Sequence, residues 1–171
     1  LVADLCTDLS RVTDTAAFSD LLGRAAGVLD ASGLILWVGA GELLLPATGH
    51  GYGQDVMARL RPIARDAKNA TADAWRTGQM TVVTASGPAD SGAIVAPLLG
   101  VDGCLGVLAA EVRHDAERNP ATRALATMIA AQLSTVVPAW PSASLTQPAA
   151  ATPGGEPPPT DGKATLEVRS A

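Results

Sequence analysis

The stretch Ser91–Arg113, SGAIVAPLLGVDGCLGVLAAEVR, constrains the fold more than any other segment. Apolar residues crowd both halves, and Val101-Asp102-Gly103 interrupts them in the middle. A membrane helix needs about 20 uninterrupted apolar residues. Here Asp102 and four glycines fall within the run. Pro97 would also break a helix, because it has no N–H to donate and its ring crowds the preceding turn. Two strands, 93–99 and 104–113, joined by the turn 100–103, satisfy every feature. The Asp102-Gly103 step tolerates the positive φ that a tight hairpin needs. The stretch therefore reads as a central hairpin of a sheet.

The residues before it supply helices and further strands. Leu1, Leu5, Leu9 and Val12 recur three to four apart and form one helical face. Asp14 is placed to cap a second helix over 15–29, whose apolar stripe is Phe18, Leu21, Leu22, Ala25, Ala26 and Leu29. LILWV at 34–38 is a buried strand, and ELLLPAT at 42–48 is its hairpin partner. Pro46 places that partner at a sheet edge, since it leaves a ladder donor missing. Gly49, Gly51 and Gly53 make a loose corner before a short helix over 54–60. Asn69 caps a helix over 70–77 that Gly78 closes. A third strand covers 80–85.

After the central hairpin, Asn119-Pro120 opens a last helix with Leu125, Met128, Ile129, Gln132, Leu133 and Val136 on one face. Pro138 stops it. The remainder, 138–171, holds seven of the twelve prolines and little that could bury surface. The expectation is a domain over 1–137 and a disordered Pro/Ala/Gly-rich tail over 138–171.

Composition narrows the function classes. Apolar residues make up 47% of the chain but aromatic ones only 3%, so the core must come from Ala, Val, Leu and Ile. A net charge of −5, spread along the chain, argues against nucleic acid, which needs a basic stripe. Cys6 and Cys104 are far apart and lack metal spacing; they read as reduced thiols in a cytoplasmic setting. His50 and His114 do not make a metal site. There is no G-x-S-x-G elbow and no phosphate loop, so a non-enzymatic role with no direct membrane contact is expected. The chain starts at Leu1, which suggests a piece of a longer protein with further domains.

The order of elements, with these words in these places, resembles a GAF domain. The matching tracts are VLDASGLILWV, LPATGHGY, NATADAWRTGQMTVV and AIVAPLLGVDGCLGVLAAEV, followed by ATMIAAQLSTVV as the closing helix. Within them, Ala96-Pro97-Leu98-Leu99, Asp102-Gly103 and Gly106-Val107-Leu108 resemble the family's common hairpin. The resemblance implies an α+β fold with a central antiparallel sheet of five to six strands. The implied order is 2-1-5-4-3, with terminal helices on one face and the helical insert on the other. It also implies a bacterial-type sensory or regulatory role, often with a small molecule under the insert and dimerisation through terminal helices. The family's cyclic-nucleotide signature Asn-Lys-x-Phe-Asp-Glu is absent, the sole phenylalanine being Phe18. Cys104 is followed by Leu105, unlike bilin-attachment sites, and the several loop cysteines of the GAF-type methionine sulfoxide reductases are missing.

On this reading the candidate ligand-binding residues are Trp37, His50, Tyr52 and Trp75, with His50, Tyr52 and Trp75 on the insert and Trp37 on the sheet. No ligand or cofactor is named by these residues. A homodimer is expected through Leu1, Leu5, Leu9, Leu125, Ile129 and Leu133. Two alternatives stand beside the sensor: a ligand-free dimerisation or interaction module, and a thiol-dependent redox enzyme or sensor using Cys104.

Overall fold

The computed structural model describes residues 2–12, 15–87 and 90–137. Leu1, the Asp14 cap and the expected tail over 138–171 lie outside the described residues. Helices α1 (Val2–Leu9) and α2 (Thr15–Leu29) come first, followed by strands β1 (Ala31–Ala40) and β2 (Leu43–His50). The insert holds α3 (Gln54–Arg59), β3 (Ile63–Ala64) and α4 (Ala70–Thr77). Strands β4 (Thr81–Val83), β5 (Gly92–Gly100) and β6 (Gly103–Val112) precede a short 3-10 turn, Ala116–Arg118, and helix α5 (Pro120–Val136).

One sheet carries the order β3-β2-β1-β6-β5-β4, and every pair is antiparallel. Without the two-residue β3, this is the expected order 2-1-5-4-3. The central hairpin is β5–β6, turning at Val101-Asp102 with Gly103 at φ +133°. Strand β2 reaches His50, two residues beyond the expected end, and β4 is shorter than expected. Pro46 faces β1 at a bulge and has no partner on β3, which pairs only with Leu43 and Leu44. Its missing donor therefore breaks no ladder.

Local signals terminate the helices as the sequence predicts. The Asn69 side chain accepts from the Ala72 amide at 2.8 Å, and Gly78 takes the left-handed conformation after Thr77. Asn119 caps α5 through the Ala121 amide at 2.9 Å, with Pro120 in the first turn.

Strand alternation gives the sheet two distinct cores. On one face α2 and α5 pack on Leu34, Leu36, Ile94, Ala96, Leu98 and Leu108. Helix α1 closes that side, with Leu5 and Leu9 buried in the same cluster. On the other face Ile35, Trp37, Leu44, Val95 and Val107 pack with Ala70, Ala74 and Trp75 of the insert.

This packing corrects the expected dimer surface. Leu5, Leu9, Ile129 and Leu133 are buried within the chain's own core, and Leu125 packs partly against it. Each buried leucine contributes roughly 1.5–3 kcal/mol to folding, so these rows cannot be turned outward to a second copy cheaply. Leu1 lies outside the described residues. Among the described residues, the large apolar side chain that α5 leaves in solvent is Met128, half exposed.

Candidate functional site

The insert covers the sheet face formed by Gly33, Ile35, Trp37 and Gly39 of β1 and by Val107, Ala109 and Glu111 of β6. Two aromatic side chains of the insert lie at its two ends. At one end, the Trp75 indole sits over Gly39: a Cβ there would come within 3.1 Å of Cζ2. The indole Nε1–H donates to the Cys104 carbonyl at 3.1 Å. The Arg65 guanidinium stacks over the same ring, 4.8 Å from its centroid, while the Arg65 carbonyl accepts from Arg76. Arg76 also pairs with Asp73, so the back of α4 is tied to the β3 segment.

At the other end, the hydroxyl end of the Tyr52 ring lies against Gly33, close enough that a Cβ would fall 2.6 Å from Cε2. Gly51 enables this approach. Its φ of +84° is left-handed, and its Cα faces the Ser32–Gly33 backbone so closely that no side chain fits. The Tyr52 hydroxyl donates to Glu111 Oε2 at 3.1 Å. Burial, and then the Glu111 charge, push the phenol well above its ordinary range, so Tyr52 is a neutral donor.

Gly33 and Gly39 are six positions apart on one strand, about 20 Å at 3.3 Å per residue. Tyr52 and Trp75 therefore belong to one layer but not to one contact. Trp37 lies between them, 4% exposed, on the same face as Trp75, which is 2% exposed.

His50 is elsewhere, which corrects its expected place on the insert. It is the last residue of β2 and pairs with Leu34, whose side chain belongs to the helix-side core. Its ring lies against α2, where a Cβ on Gly23 would be 3.0 Å from Cε1. The physical reason is alternation. Because β2 continues to residue 50, His50 obeys strand parity rather than the freedom of a loop. Gly49, one step earlier, faces the insert under Met57.

Cys104 is half-buried, and its thiol contacts the Gly106 carbonyl at 3.1 Å. Burial raises its pKa, against a lesser downward pull from backbone contacts and Arg65. Cys6 is on α1, on the opposite side of the sheet. Among the described residues no group of three or more His, Cys, Asp or Glu could hold a metal ion. No described helix is long and apolar enough to cross a membrane.

Sequence reasoning missed Glu111 and Arg65. A signal for Glu111 existed: it is the one charged residue within β6, in the tract GCLGVLAAEV. A charge in the middle strands of a sheet calls for a partner. Arg65 carried no such signal, because only the fold brings it over Trp75.

No family model matches the chain, and no curated protein matches it. Solved structures do. The GAF domain of an Acinetobacter phosphoenolpyruvate-protein phosphotransferase superposes with a TM-score of 0.69 at 8% identity, over 85% of this chain and 94% of that one. The second GAF domain of DevS from Mycobacterium smegmatis is 25% identical, with a TM-score of 0.55 over 72% of this chain and 92% of that one. The free methionine-R-sulfoxide reductase of Neisseria meningitidis, solved with its substrate, is 19% identical, with a TM-score of 0.60 over 81% and 89%. The chain has the GAF fold.

Proposed function

We propose that this domain is a non-catalytic sensory or regulatory module that takes a small molecule between its insert and its sheet. The observation that carries this reading is the pair of cores on one sheet. Strands β1, β5 and β6 contribute to both the insert-side cluster and the helix-side cluster. A ligand that displaces the insert must shift the strands on which α2 and α5 rest, and packed interiors pass such shifts on rather than absorb them. A Burkholderia vietnamiensis protein described as a GAF sensor has the same fold and supports the same class. The Neisseria reductase has the fold and a substrate, but this chain lacks that chemistry's thiol array, and the raised pKa of Cys104 disfavours a thiolate nucleophile.

The test is to purify the domain from cells, extract it, and identify any co-purified small molecule by mass spectrometry. Adding that molecule back should change tryptophan fluorescence and slow hydrogen exchange in residues 51–78. Tyr52→Ala and Trp75→Ala should weaken binding more than folding. A bound molecule that protects only residues outside the insert and sheet would refute the assignment.

A second reading, a ligand-free interaction module, is favoured by the near-complete burial of Trp37 and Trp75. In it, copies associate through the outward face of α5 around Met128, which is 50% exposed. It requires dimers by sedimentation that Met128→Glu dissociates, with no recoverable ligand.

A further inference from the structure

We propose that the Glu117 side chain is a latch that ties the strand leaving the insert to the entry of the last helix, and that its two sides open as one unit. The inference goes beyond the sensor reading, because it rests on this junction alone and stands whether or not a ligand is taken.

Glu117 is the middle residue of the 3-10 turn between β6 and α5, and it is fully buried. The turn is anchored on both sides: Ala116 packs in the helix-side core, and Asn119, two residues after Glu117, caps α5. The Glu117 side chain reaches back to an earlier part of the chain. Its Oε1 accepts from the Ala85 amide at 3.3 Å, across 32 positions and just beyond the end of β4. Its Oε2 and Cδ lie against Gly92, the first residue of β5, where a Cβ would fall 2.3 Å from both. Both roots of the β4–β5 connection therefore rest on one carboxyl group, and only a glycine at 92 leaves that group its place.

The same junction holds the unmatched polar atoms. Among the described residues two buried side-chain atoms lack a hydrogen-bond partner, Glu117 Oε2 and Arg123 Nε of α5. Arg118 adds little, because its Nε stands 3.7 Å from Glu117 Oε1, is mostly exposed and is shared with Asp115. Arg123 donates instead to the Arg118 carbonyl through Nη2, at 3.3 Å. A buried acceptor and a buried donor without partners both favour opening, since water satisfies them once they are exposed. Segments of this kind open below the global stability and as contiguous units. Releasing the carboxyl group frees Ala85 and Gly92 on one side and the turn that leads to Asn119 on the other. The latch also gives the insert a route to α5 that bypasses the central strands. Gly78 closes α4, β4 begins at Thr81, and Val83 packs against the insert-side core two residues before Ala85.

The test is native-state hydrogen exchange of the isotope-labelled protein, read by NMR at low denaturant. The amides of Ala85, Asn119 and Arg123 are each hydrogen-bonded. Their protection factors should agree within about threefold and lie below those of β1 and β6. Gly92→Ala, at a backbone position that is not left-handed, drives the carboxyl group out while leaving all three amides in place. It should speed exchange at all three by about tenfold or more, the scale of one lost hydrogen bond, while Asp73 and Gly78 at α4 stay within about threefold. In a Glu117→Ala background the same substitution should change nothing further. Ala85 opening apart from Asn119 and Arg123 in the unsubstituted protein overturns the proposal, as does exchange of all three only through global unfolding. So does a Gly92→Ala protein in which Ala85 alone accelerates, α4 accelerates equally, or nothing changes. The unsubstituted protein decides the coupling by itself, so a Gly92→Ala chain that does not fold leaves the proposal refutable.

Discussion

Gly33→Ala isolates the contact on which the Tyr52 end of the site depends. The backbone of Gly33 is not left-handed, so alanine is tolerated there without strain. Its Cβ, however, would sit 2.6 Å from Tyr52 Cε2, where ordinary contact begins at 3.4 Å. The ring must retreat by about 1 Å, which breaks the 3.1 Å hydroxyl–carboxylate bond. A hydrogen bond to a charged group contributes about 1.5–3 kcal/mol, and partial exposure of Tyr52 places this one near the lower figure. Removing a glycine from the unfolded ensemble returns about 0.5 kcal/mol. The net expectation is a loss of about 1 kcal/mol, or roughly 3–5 °C in thermal midpoint for a domain of this size. In a Tyr52→Ala background the ring is gone, and the same substitution should become neutral or slightly stabilising. Chemical denaturation of the four proteins in the cycle then yields a coupling of about 1–2 kcal/mol. Equal costs of Gly33→Ala in both backgrounds would refute the reasoning, because the clash would then be with something other than Tyr52.

Other consequences are independent of that cycle. Tyr52 is the sole tyrosine, so the phenolate absorbance of the native protein reports it alone. Its folded pKa is raised, so its contribution to stability is complete below about pH 10 and is lost as pH rises through the folded value. An alkaline titration should show no ionisation at the ordinary tyrosine pH until the protein unfolds, and Glu111→Gln should bring the transition down. Asn69→Ala removes the cap of α4 and should cost about 1 kcal/mol by denaturation, loosening the Trp75 end without touching Tyr52. Gly106→Ala would place a Cβ 3.0 Å from Val38 Cα across the β1–β6 ladder. Backbone cannot step aside as a side chain can, so a loss of at least about 2–3 kcal/mol, read by thermal unfolding, is expected. Asp30 is held below the usual carboxylate range, first by its hydrogen bond to His114. In His114→Ala its titration, followed by carboxyl NMR shifts, should move up toward the ordinary aspartate value.

Much of the fold was legible because it rests on local rules. The span of α2 follows from its apolar stripe, and α4 from Asn69 and Gly78, each of which acts within one turn. The β5–β6 hairpin follows from a tight turn between two apolar runs. Strand β3 was not legible: two residues carry no period, and it exists only because Leu43 and Leu44 offer it an edge. The dimer rows were misjudged for a related reason. Periodicity shows that Leu5 and Ile129 lie on apolar faces, but not whether the covering surface is this chain or another. The placement of the candidate side chains was partly legible. Large side chains on the strand and the insert placed Trp37, Tyr52 and Trp75 in the layer between insert and sheet, whereas the side that His50 faces depends on where β2 ends.

The sequence by itself determined the kinds of element and their order, since hydrophobic period, caps and turn residues act over a few positions and need no partner; the sheet covered on both faces was implied by the family resemblance. Only the tertiary structure decided which side each polar group faces and whom it meets. Tyr52 reaches Glu111 across 59 positions of chain, and Trp75 reaches Cys104 across 29. One residue of register decides such meetings, because a one-step slip turns every side chain of a strand to the opposite face.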